Sequence, residues 1–252
     1  MELPAPLDVL AARPGQAGVY TDFDGTLAPI VDDPYAARAL EGAAETLSAL
    51  AECYARVGVV SGRPVRFLLD NVGAAGVDLW GEYGLERAVD GDIRAADGAA
   101  EWRGTVEDVA ARADAAGIAE RVERKSFSVT LHWRADPQRE AAVRSWALDE
   151  ARRTGLEALP ARKAIELRPP LRRDKGTALA EAAAGLDAAC FLGDDRGDLA
   201  AFDALDRMAA DGVHVARIAV RSAEMPDELA QRADVVVDGP QGALALLRGL
   251  LP

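Results

Sequence analysis

The stretch VYTDFDGTLAPI, residues 19–30, ends an apolar run on two aspartates, Asp22 and Asp24, that are separated by a single residue. Alternate side chains of an extended segment point to the same side, so both carboxylates can face one point. A glycine and a threonine follow directly. An Asp-Gly turn that closes a strand is the ordinary alternative, but the full pattern Asp-x-Asp-Gly-Thr is rare by chance. We therefore predict a strand that ends in a functional site.

Two further apolar runs share this organisation. RVGVVSGR leads into Ser61, and CFLGDD leads into Asp194. Helical stretches separate the runs, which indicates βαβ units and a mainly parallel sheet with helices on both faces. Ligands bind outside the carboxyl ends of the strands in such sheets, so we expect Asp22, Ser61 and Asp194 to meet in one crevice. The apolar runs at 213–220 and 233–239 are predicted to be further strands of the same sheet.

The segment 101–168 has a different pattern. In FSVTLHWR, residues 127–134, apolar and polar side chains alternate, which is typical of a strand with one buried face. The order αββαββ predicts a small α+β domain at 101–168, inserted into a core formed by 1–100 and 169–252. The inserted segment has a net charge of +1, whereas the remainder carries −14, so an anionic substrate would meet less repulsion at the inserted domain.

Composition excludes some classes of protein. The net charge of −13 over 252 residues argues against a nucleic-acid partner. We find no apolar run of transmembrane length and no basic start typical of a signal peptide. Two cysteines are expected to be buried, reduced thiols. We predict a soluble cytoplasmic protein, monomeric and without a membrane partner.

A second group of carboxylates follows the third apolar run: Asp194, Asp195 and Asp198. Together with the first pair, they would repel one another at neighbouring strand ends unless some were protonated or a cation lay between them. Oxygen ligands without histidine or cysteine favour Mg²⁺. The alternative for this second group is an acidic N-cap for a helix at 199–208.

Two candidate phosphate-holding groups complete the pattern. In VVSGRP, a serine hydroxyl and backbone N–H groups precede a predicted helix, which is typical of an anion site but also of a plain turn. In RRDKGTAL, Lys175 opens a helix, where it could bind phosphate or be an ordinary surface lysine. Carboxylates, a metal and phosphate-holding groups together indicate phosphoryl transfer. No Ser-His or Cys-His nucleophile motif and no Gly-x-x-x-x-Gly-Lys loop offers another mechanism.

These motifs, DFDGT, SGR, DKG and GDDRGD, resemble in order those of the haloacid-dehalogenase (HAD) superfamily of aspartate-dependent phosphatases. The resemblance implies a Rossmann-like parallel-sheet core with an inserted cap domain. It also implies that Asp22 is the nucleophile and that Asp24 is the general acid and base. The metal Mg²⁺ would be held by Asp22, the backbone carbonyl of Asp24, and Asp194. The phosphate would be held by Ser61, Gly62, Arg63 and Lys175.

Within that superfamily the chain is most similar to trehalose-6-phosphate phosphatases, through DFDGTLAPIVDDP, VSGRP, KSFSVTLHWR, IELRPPLRRDKGTAL and GDDRGDLAAF. The similarity implies hydrolysis of trehalose 6-phosphate to trehalose and phosphate, with Lys125 and Glu166 binding the sugar. Sucrose phosphate, mannosyl-3-phosphoglycerate and a pseudo-disaccharide phosphate remain alternative substrates. A catalytically silent sugar-phosphate sensor is an alternative of another class, and the intact motifs argue against it.

The chain departs from the family pattern at two places. Gly197 and Leu199 stand where many members have threonine and glutamate, although the aspartates of this motif are present. Glu82 and Tyr83 stand in GEYGLE, where the family often carries Asn-His-Gly or Ser-His-Gly. The resemblance therefore assigns no contacts to this second loop.

Overall fold

The computed structural model of the protein describes residues 3–31, 33–89, 91–161, 163–223 and 225–252. The chain divides into two compact units, one formed by Met1–Arg94 with Arg173–Pro252 and the other by Ala95–Arg172. The second unit thus interrupts the first in sequence. Its bounds lie a few residues outside the expected segment 101–168.

The first unit contains an eight-stranded sheet. Its strands are β1 (Ala17–Thr21), β2 (Arg56–Val60), β3 (Asp78–Gly81), β4 (Glu86–Val89), β5 (Asp92–Ala95), β10 (Ala188–Gly193), β11 (His214–Arg221) and β12 (Val235–Asp238). They lie in the order β12-β11-β10-β1-β2-β3-β4-β5. The neighbours from β12 to β3 are parallel, as predicted, whereas β3 and β4 are antiparallel. Thr21 at the end of β1 pairs with Leu192 of β10 and with Val59 of β2, so the residues that follow these three strands emerge at the same edge.

Helices cover both faces of this sheet, because its central strands are apolar on both sides. The helices are α1 (Ala5–Ala12), α2 (Ala43–Cys53), α3 (Val65–Val72), α6 (Lys175–Ala182), α7 (Leu199–Ala210), α8 (Asp227–Arg232) and α9 (Gly239–Gly249). Val19 packs into one core with side chains of α1, α2, α3 and α9, whereas the next residue, Tyr20, packs into a second core with α6, α7 and α8. None of the described helices is long and apolar enough to cross a lipid bilayer.

The second unit contains an antiparallel sheet with its own apolar core. Its elements follow the order αββαββ: α4 (Arg103–Ala116), β6 (Arg121–Arg124), β7 (Val129–His132), α5 (Glu140–Thr154), β8 (Glu157–Ala161) and β9 (Ala164–Arg168). The strands lie in the order β6-β7-β9-β8. The alternation seen in the sequence is present, since Phe127, Val129, Leu131 and Trp133 are all buried. Polar residues occupy the other face of the sheet.

Candidate active site

Asp22 directly follows β1, the strand between β10 and β2. Its backbone N–H donates to the carbonyl of Leu192 at 2.8 Å, which extends the ladder by one residue, and the residue is only 3% exposed. Asp194 and Ser61 follow the two flanking strands at the same edge. Carboxylate oxygens of Asp22, Asp194 and Asp198 lie within 4.8 Å of one another. The strand ends thus bring together acidic groups that are far apart in sequence.

Gly25 lets the turn after β1 approach the second strand end. Its φ is +76°, in the left-handed region that favours glycine. Its N–H donates to the carbonyl of Ala28 at 2.8 Å, which closes the turn. A Cβ atom at this position would lie 2.1 Å from Oδ2 of Asp194. The glycine of the DFDGT motif is therefore required by both its backbone conformation and the space it leaves for a carboxylate.

We predict that Gly25→Ala lowers the free energy of unfolding more than Gly73→Ala does. Both positions have a positive φ, but a Cβ at Gly73 meets nothing within 4 Å, so Gly73→Ala measures the backbone cost alone, about 1–2 kcal/mol. The additional loss of unfolding free energy in Gly25→Ala measures the cost of displacing the Asp194 carboxylate. Urea unfolding of both variants measures the difference, and equal values would contradict this account of the turn.

Asp198 organises the loop after β10. Its Oδ2 accepts hydrogen bonds from the backbone N–H groups of Asp194, at 2.8 Å, and Asp195, at 3.0 Å. Its Oδ1 accepts from the ammonium of Lys175 at 2.7 Å. The Asp195 carboxylate in turn accepts from the N–H of Gly197 at 2.7 Å, so the two aspartates form a capping box. Asp195 therefore caps the 3-10 turn Arg196–Asp198, whereas Asp198, the residue before α7, makes no side-chain cap hydrogen bond to that helix. Asp198 instead orients the loop and lies in the acidic cluster.

Lys175 lies at the first position of α6, and a capping box fixes that position. The Asp174 carboxylate accepts from the N–H of Thr177 at 2.7 Å, and the Thr177 hydroxyl accepts from the N–H of Asp174 at 2.9 Å. The Lys175 ammonium is 3.0 Å from Asp22 and 3.8 Å from Asp195. With its side chain only 3% exposed, this lysine is a cation of the buried site and not a surface residue.

Negative charge exceeds positive charge in this cluster. Burial and the neighbouring carboxylates raise the pKa of Asp22 well above its ordinary value, although the Lys175 ammonium opposes the shift. Burial, followed by the charge of Asp198, raises the pKa of Asp194 to about 7, and burial raises the pKa of Asp198 to about 6. For Lys175, burial acts to lower the pKa, but the carboxylates outweigh it and raise the pKa. An isolated ion pair would lower the pKa of its aspartate; here one ammonium is shared among several buried carboxylates.

Asp24, the second aspartate of the motif, is held by an arginine. Both of its carboxylate oxygens accept from the Arg63 guanidinium at 2.7 Å, a bidentate geometry that restricts both side chains. The guanidinium also lies 4.7 Å from the ring centroid of Phe67. Asp24 is therefore paired with Arg63, whereas Asp22 is paired with Lys175. Different partners are consistent with different roles for the two carboxylates.

Ser61 and Gly62 form the turn between β2 and α3. Ser61 is 1% exposed, its N–H donates to the carbonyl of Trp80 at 2.9 Å, and its hydroxyl accepts from the N–H of Arg63 at 3.2 Å. Farther into the helix, the N–H of Val65 already donates to the carboxylate of Glu86 at 2.5 Å. The first turn of α3 thus offers fewer backbone N–H groups to an anion than the motif VVSGRP predicted, because those of Arg63 and Val65 already donate to side chains of the protein.

Lys125 and Glu166, the candidate sugar-binding residues, are paired in the second unit. The Lys125 ammonium lies 2.7 Å from Oε1 of Glu166, and each side chain is 8% exposed. The hydroxyl of Ser128 donates to the same oxygen at 2.8 Å. A second pair joins His132 and Glu123 at 2.7 Å. The hydrogen bonds within each pair hold these side chains in fixed orientations.

Sequence reasoning missed two contacts. The Arg63–Asp24 pair spans 39 residues, and no local pattern encodes it. The placement of Asp198 among the acidic groups was predicted, but its hydrogen bonds to the backbone N–H groups of Asp194 and Asp195 were not, although the spacing Asp-x-x-Asp of Asp195 and Asp198 is a capping-box pattern that could have indicated an ordered loop.

The fold belongs to the haloacid-dehalogenase class. A haloacid dehalogenase-like hydrolase from Bacteroides thetaiotaomicron has a TM-score of 0.61 at 15% identity, covering 93% of this chain and 97% of that one. The C-terminal domain of C. albicans trehalose-6-phosphate phosphatase has a TM-score of 0.76 at 23% identity, covering 100% of this chain and 97% of that one. These likenesses confirm the predicted α/β fold.

The chain itself belongs to the trehalose-phosphatase family, whose model matches residues 20–235. A trehalose-phosphate phosphatase of Mycobacterium avium is 36% identical over 220 residues, which cover 82% of this chain and 56% of the relative. The chain spans between 15% and 60% of the length of the relatives compared with it. The family predicted from the sequence motifs is therefore confirmed.

Proposed function

We propose that the protein is a Mg²⁺-dependent phosphatase that hydrolyses trehalose 6-phosphate to trehalose and phosphate. The observation that carries the proposal is the buried cluster in which Asp22 contacts Lys175 and lies beside Asp194. Membership of the trehalose-phosphatase family supports the choice of substrate. The activity rests on the chemistry of the cluster, and the choice of sugar rests on the family.

The acidic cluster suits a divalent metal. Three buried carboxylate oxygens within 4.8 Å of one another are hard ligands with an excess of negative charge, as Mg²⁺ requires. Asp22, Asp194 and the backbone carbonyl of Asp24 would hold the ion. Asp198 is better suited to orient the loop, since both of its oxygens already accept hydrogen bonds. When bound, Mg²⁺ would neutralise charge on the phosphoryl group.

Asp22 is the nucleophile in the proposed reaction. Its carboxylate oxygen forms a bond to phosphorus while the bond from phosphorus to the sugar oxygen breaks, and Asp24 gives its proton to that oxygen. Asp24 then removes a proton from water, whose oxygen attacks the aspartyl-phosphate. Phosphate leaves and the Asp22 carboxylate is regenerated, so each turnover consumes one water molecule.

Binding of phosphate by Arg63 would release the Asp24 carboxylate from its ion pair with that arginine. Both oxygens of the Asp24 carboxylate accept hydrogen bonds from the guanidinium, so neither oxygen is directed at the leaving sugar oxygen. An arriving phosphate dianion competes for the same guanidinium. Exchange of partners would give Arg63 to the phosphate and release Asp24 for proton transfer.

The other phosphate-holding groups are the Ser61 hydroxyl, the backbone at Gly62 and the Lys175 ammonium. Lys175 is already aimed at the nucleophile, at 3.0 Å from Oδ1 of Asp22. The ammonium would therefore bind an oxygen of the phosphoryl group while Asp22 attacks. Preorganised donors of this kind stabilise the charge of the transition state.

The second unit would act as the cap that selects the sugar. Lys125 and Glu166 offer a cation and an anion 2.7 Å apart, and the two can respectively donate to and accept from hydroxyl groups. Ser128 fixes the Glu166 carboxylate. This arrangement supports recognition of a polyhydroxylated substrate.

We also propose that the enzyme acts in the cytoplasm as a monomer. Both Cys53 and Cys190 are free thiols, which supports a reducing compartment. All residues assigned to the reaction come from one chain, so the proposed chemistry needs no second copy.

A phosphate-release screen over a panel of sugar phosphates tests the function. We expect Mg²⁺-dependent release from trehalose 6-phosphate, abolished by EDTA and restored by added Mg²⁺. Faster release from sucrose phosphate, mannosyl-3-phosphoglycerate or a pseudo-disaccharide phosphate would reassign the substrate and keep the mechanism. Binding of sugar phosphates without release would identify a sensor instead.

We predict that the metal-free protein becomes less stable as pH rises from about 4 to about 7. Unfolded aspartate has a pKa of about 3.9, whereas the folded values are about 7 for Asp194 and about 6 for Asp198. The native state therefore binds more protons in this interval, and its advantage is lost as pH rises through the folded pKa values. Thermal melts at pH 5 and pH 7.5 measure this contribution.

The same melts test the metal. Saturating Mg²⁺ at pH 7.5 should stabilise the fold by about 2.7 kcal/mol when its concentration is 100 times Kd. Asp194→Asn, which removes one proposed ligand, should reduce this gain. A shift no larger than that given by NaCl of equal ionic strength would count against the metal site.

A further inference from the structure

A left-handed turn follows β3 in the first unit. Glu82, Tyr83 and Gly84 have φ values of +47°, +59° and +88°, and the N–H of Leu85 donates to the carbonyl of Glu82 at 3.2 Å to close the turn. Residues with side chains rarely adopt this conformation, and two in succession need the surrounding structure to hold them. The Glu82 side chain carries a carboxyl group, yet the residue is 1% exposed. Strained residues of this kind cluster at active sites, ligand clamps and switch regions.

The turn is bonded to the loop that carries Ser61. The N–H of Glu82 donates to the carbonyl of Arg63 at 2.9 Å, and the N–H of Tyr83 donates to the carbonyl of Ser61 at 3.0 Å. The two hydrogen bonds leave the side chain of Ser61 to act on a ligand while its backbone is held.

The Tyr83 ring lies on Gly62. A Cβ atom built at Gly62 would be 2.7 Å from both Cζ and the hydroxyl oxygen of Tyr83, well inside van der Waals contact. The ring therefore occupies the space that a side chain at position 62 would need. It also limits how far the Gly62 backbone can move toward that side.

The other side of the turn touches the helix that begins with Lys175. A Cβ atom at Gly84 would lie 3.0 Å from the Cβ of Ala178, three positions after Lys175 in α6. Residues three apart share one face of a helix. The turn thus contacts both structural elements that carry the proposed phosphate-holding groups.

We propose that the turn Glu82–Gly84 is a positioning element that fixes the Ser61–Gly62 backbone relative to the first turn of α6, with the Tyr83 ring as its contact on Gly62. The inference deepens the proposed function and rests on it, because it assigns the turn to holding the phosphate. Tyr83 is a positioning residue here, acting through Gly62. Its role is to keep the loop and Lys175 at a separation that suits one phosphoryl group.

A double-mutant cycle tests the contact between the ring and the loop. Gly62→Ala should lower kcat/KM by about 10²-fold, because the new methyl group meets the ring and displaces the loop. Tyr83→Gly permits the left-handed backbone but frees the loop, and should lower kcat/KM by about 10-fold. The double variant should resemble Tyr83→Gly alone, since the ring that the new methyl group would strike is gone. Losses that multiply would overturn the proposal.

Two further variants separate the effect of the ring from the effects of its hydroxyl and of backbone strain. Tyr83→Phe keeps the ring and should stay within about 3-fold of the wild-type kcat/KM; a loss equal to that of Tyr83→Gly would assign the effect to the hydroxyl and overturn the ring contact. Lys163→Gly relieves the same backbone strain at φ +50° in the second unit. It should leave kcat/KM unchanged.

Hydrogen exchange on the ligand-free protein tests the proposal without any substrate. Tyr83→Gly should accelerate exchange in peptides covering 61–63 and 175–178, while exchange in the second unit stays unchanged. Unaltered exchange in both peptides would overturn the positioning role. Failure of the phosphatase proposal would instead appear as a wild-type protein that releases no phosphate, with the exchange difference still measurable.

Discussion

Asp22→Asn is expected to reduce phosphate release by about 10⁴-fold or more, because the variant lacks the oxygen nucleophile that forms the covalent intermediate. The asparagine side chain would keep the shape of the aspartate and one acceptor oxygen. Binding of the substrate should therefore persist while the chemical step fails. Steady-state rates over a range of trehalose 6-phosphate concentrations at saturating Mg²⁺ separate the two, since kcat should fall far more than KM changes. A release rate near that of the wild type would exclude Asp22 as the nucleophile.

The same variant should not unfold the protein. Burial and the surrounding carboxylates raise the pKa of Asp22, so this carboxyl opposes folding at any pH well above its unfolded pKa of about 3.9 when no metal is bound. Replacing it with a neutral amide should increase the free energy of unfolding of the metal-free protein at pH 7.5. Asp187→Asn is the matched control, because Asp187 is exposed and precedes the opposite end of β10. Loss of both activity and stability in Asp22→Asn would point to misfolding.

The sequence predicted the centre of the sheet well. β1, β2 and β10 are buried on both faces, so their residues form short apolar runs with a polar residue at each end. Because parallel strands present their carboxyl ends at one edge, the positions of Asp22, Ser61 and Asp194 followed from those runs alone. Local pattern and global topology agree here, which is why the inference succeeded.

The edge of the sheet formed by β4 and β5 was not predicted, whereas β11 and β12 lie where strands were expected at 213–220 and 233–239. All four residues of β5 are exposed, and the buried positions of β4 include the charged residue type Glu86, so neither strand forms the apolar run that marks the central strands. Backbone pairing with neighbouring strands determines these elements, and single-sequence patterns do not report it. The same limit applies to the Arg63–Asp24 pair, which depends on two adjacent strand ends and not on any spacing within the chain.

The loop at Glu82 was recognised as unusual in sequence, but its conformation was not predicted. Its departure from the family pattern was visible in the sequence, but its left-handed backbone was not, because residues other than glycine seldom adopt it. Only the surrounding contacts, to Ser61 and Ala178 among others, explain how the conformation is held. Sequence reasoning could identify the position as unusual without identifying the reason.

Lys175→Met should cause the largest combined loss of stability and activity. The side chain of methionine is nearly as long and fully apolar, so the variant removes the ammonium while filling most of the space. Lys175 contacts Asp22 and Asp198 at 3.0 and 2.7 Å, and removing one partner of a buried ion pair typically costs about 3–5 kcal/mol. Loss of a donor to the transferring phosphoryl group should lower kcat by about 10³-fold.

The pH dependence of this variant identifies the cause of its instability. Although burial acts to lower the pKa of Lys175, the neighbouring carboxylates raise it above its usual value. The lysine is therefore charged throughout pH 5–8 and does not itself titrate there. Asp194 and Asp198, with pKa values of about 7 and about 6, gain protons as pH falls, and their repulsion then weakens. Lys175→Met should therefore be less destabilising at pH 5 than at pH 8, and added Mg²⁺ should offset part of the loss at pH 8.

Lys163→Met supplies the matched control, since it makes the same change at an exposed lysine of the second unit. We expect its free energy of unfolding to stay within about 0.5 kcal/mol of the wild type at both pH values. Urea unfolding at pH 5 and pH 8 measures all three proteins. If Lys175→Met were equally destabilised at the two pH values, its cost would come from packing, and unneutralised carboxylate charge would not be the cause.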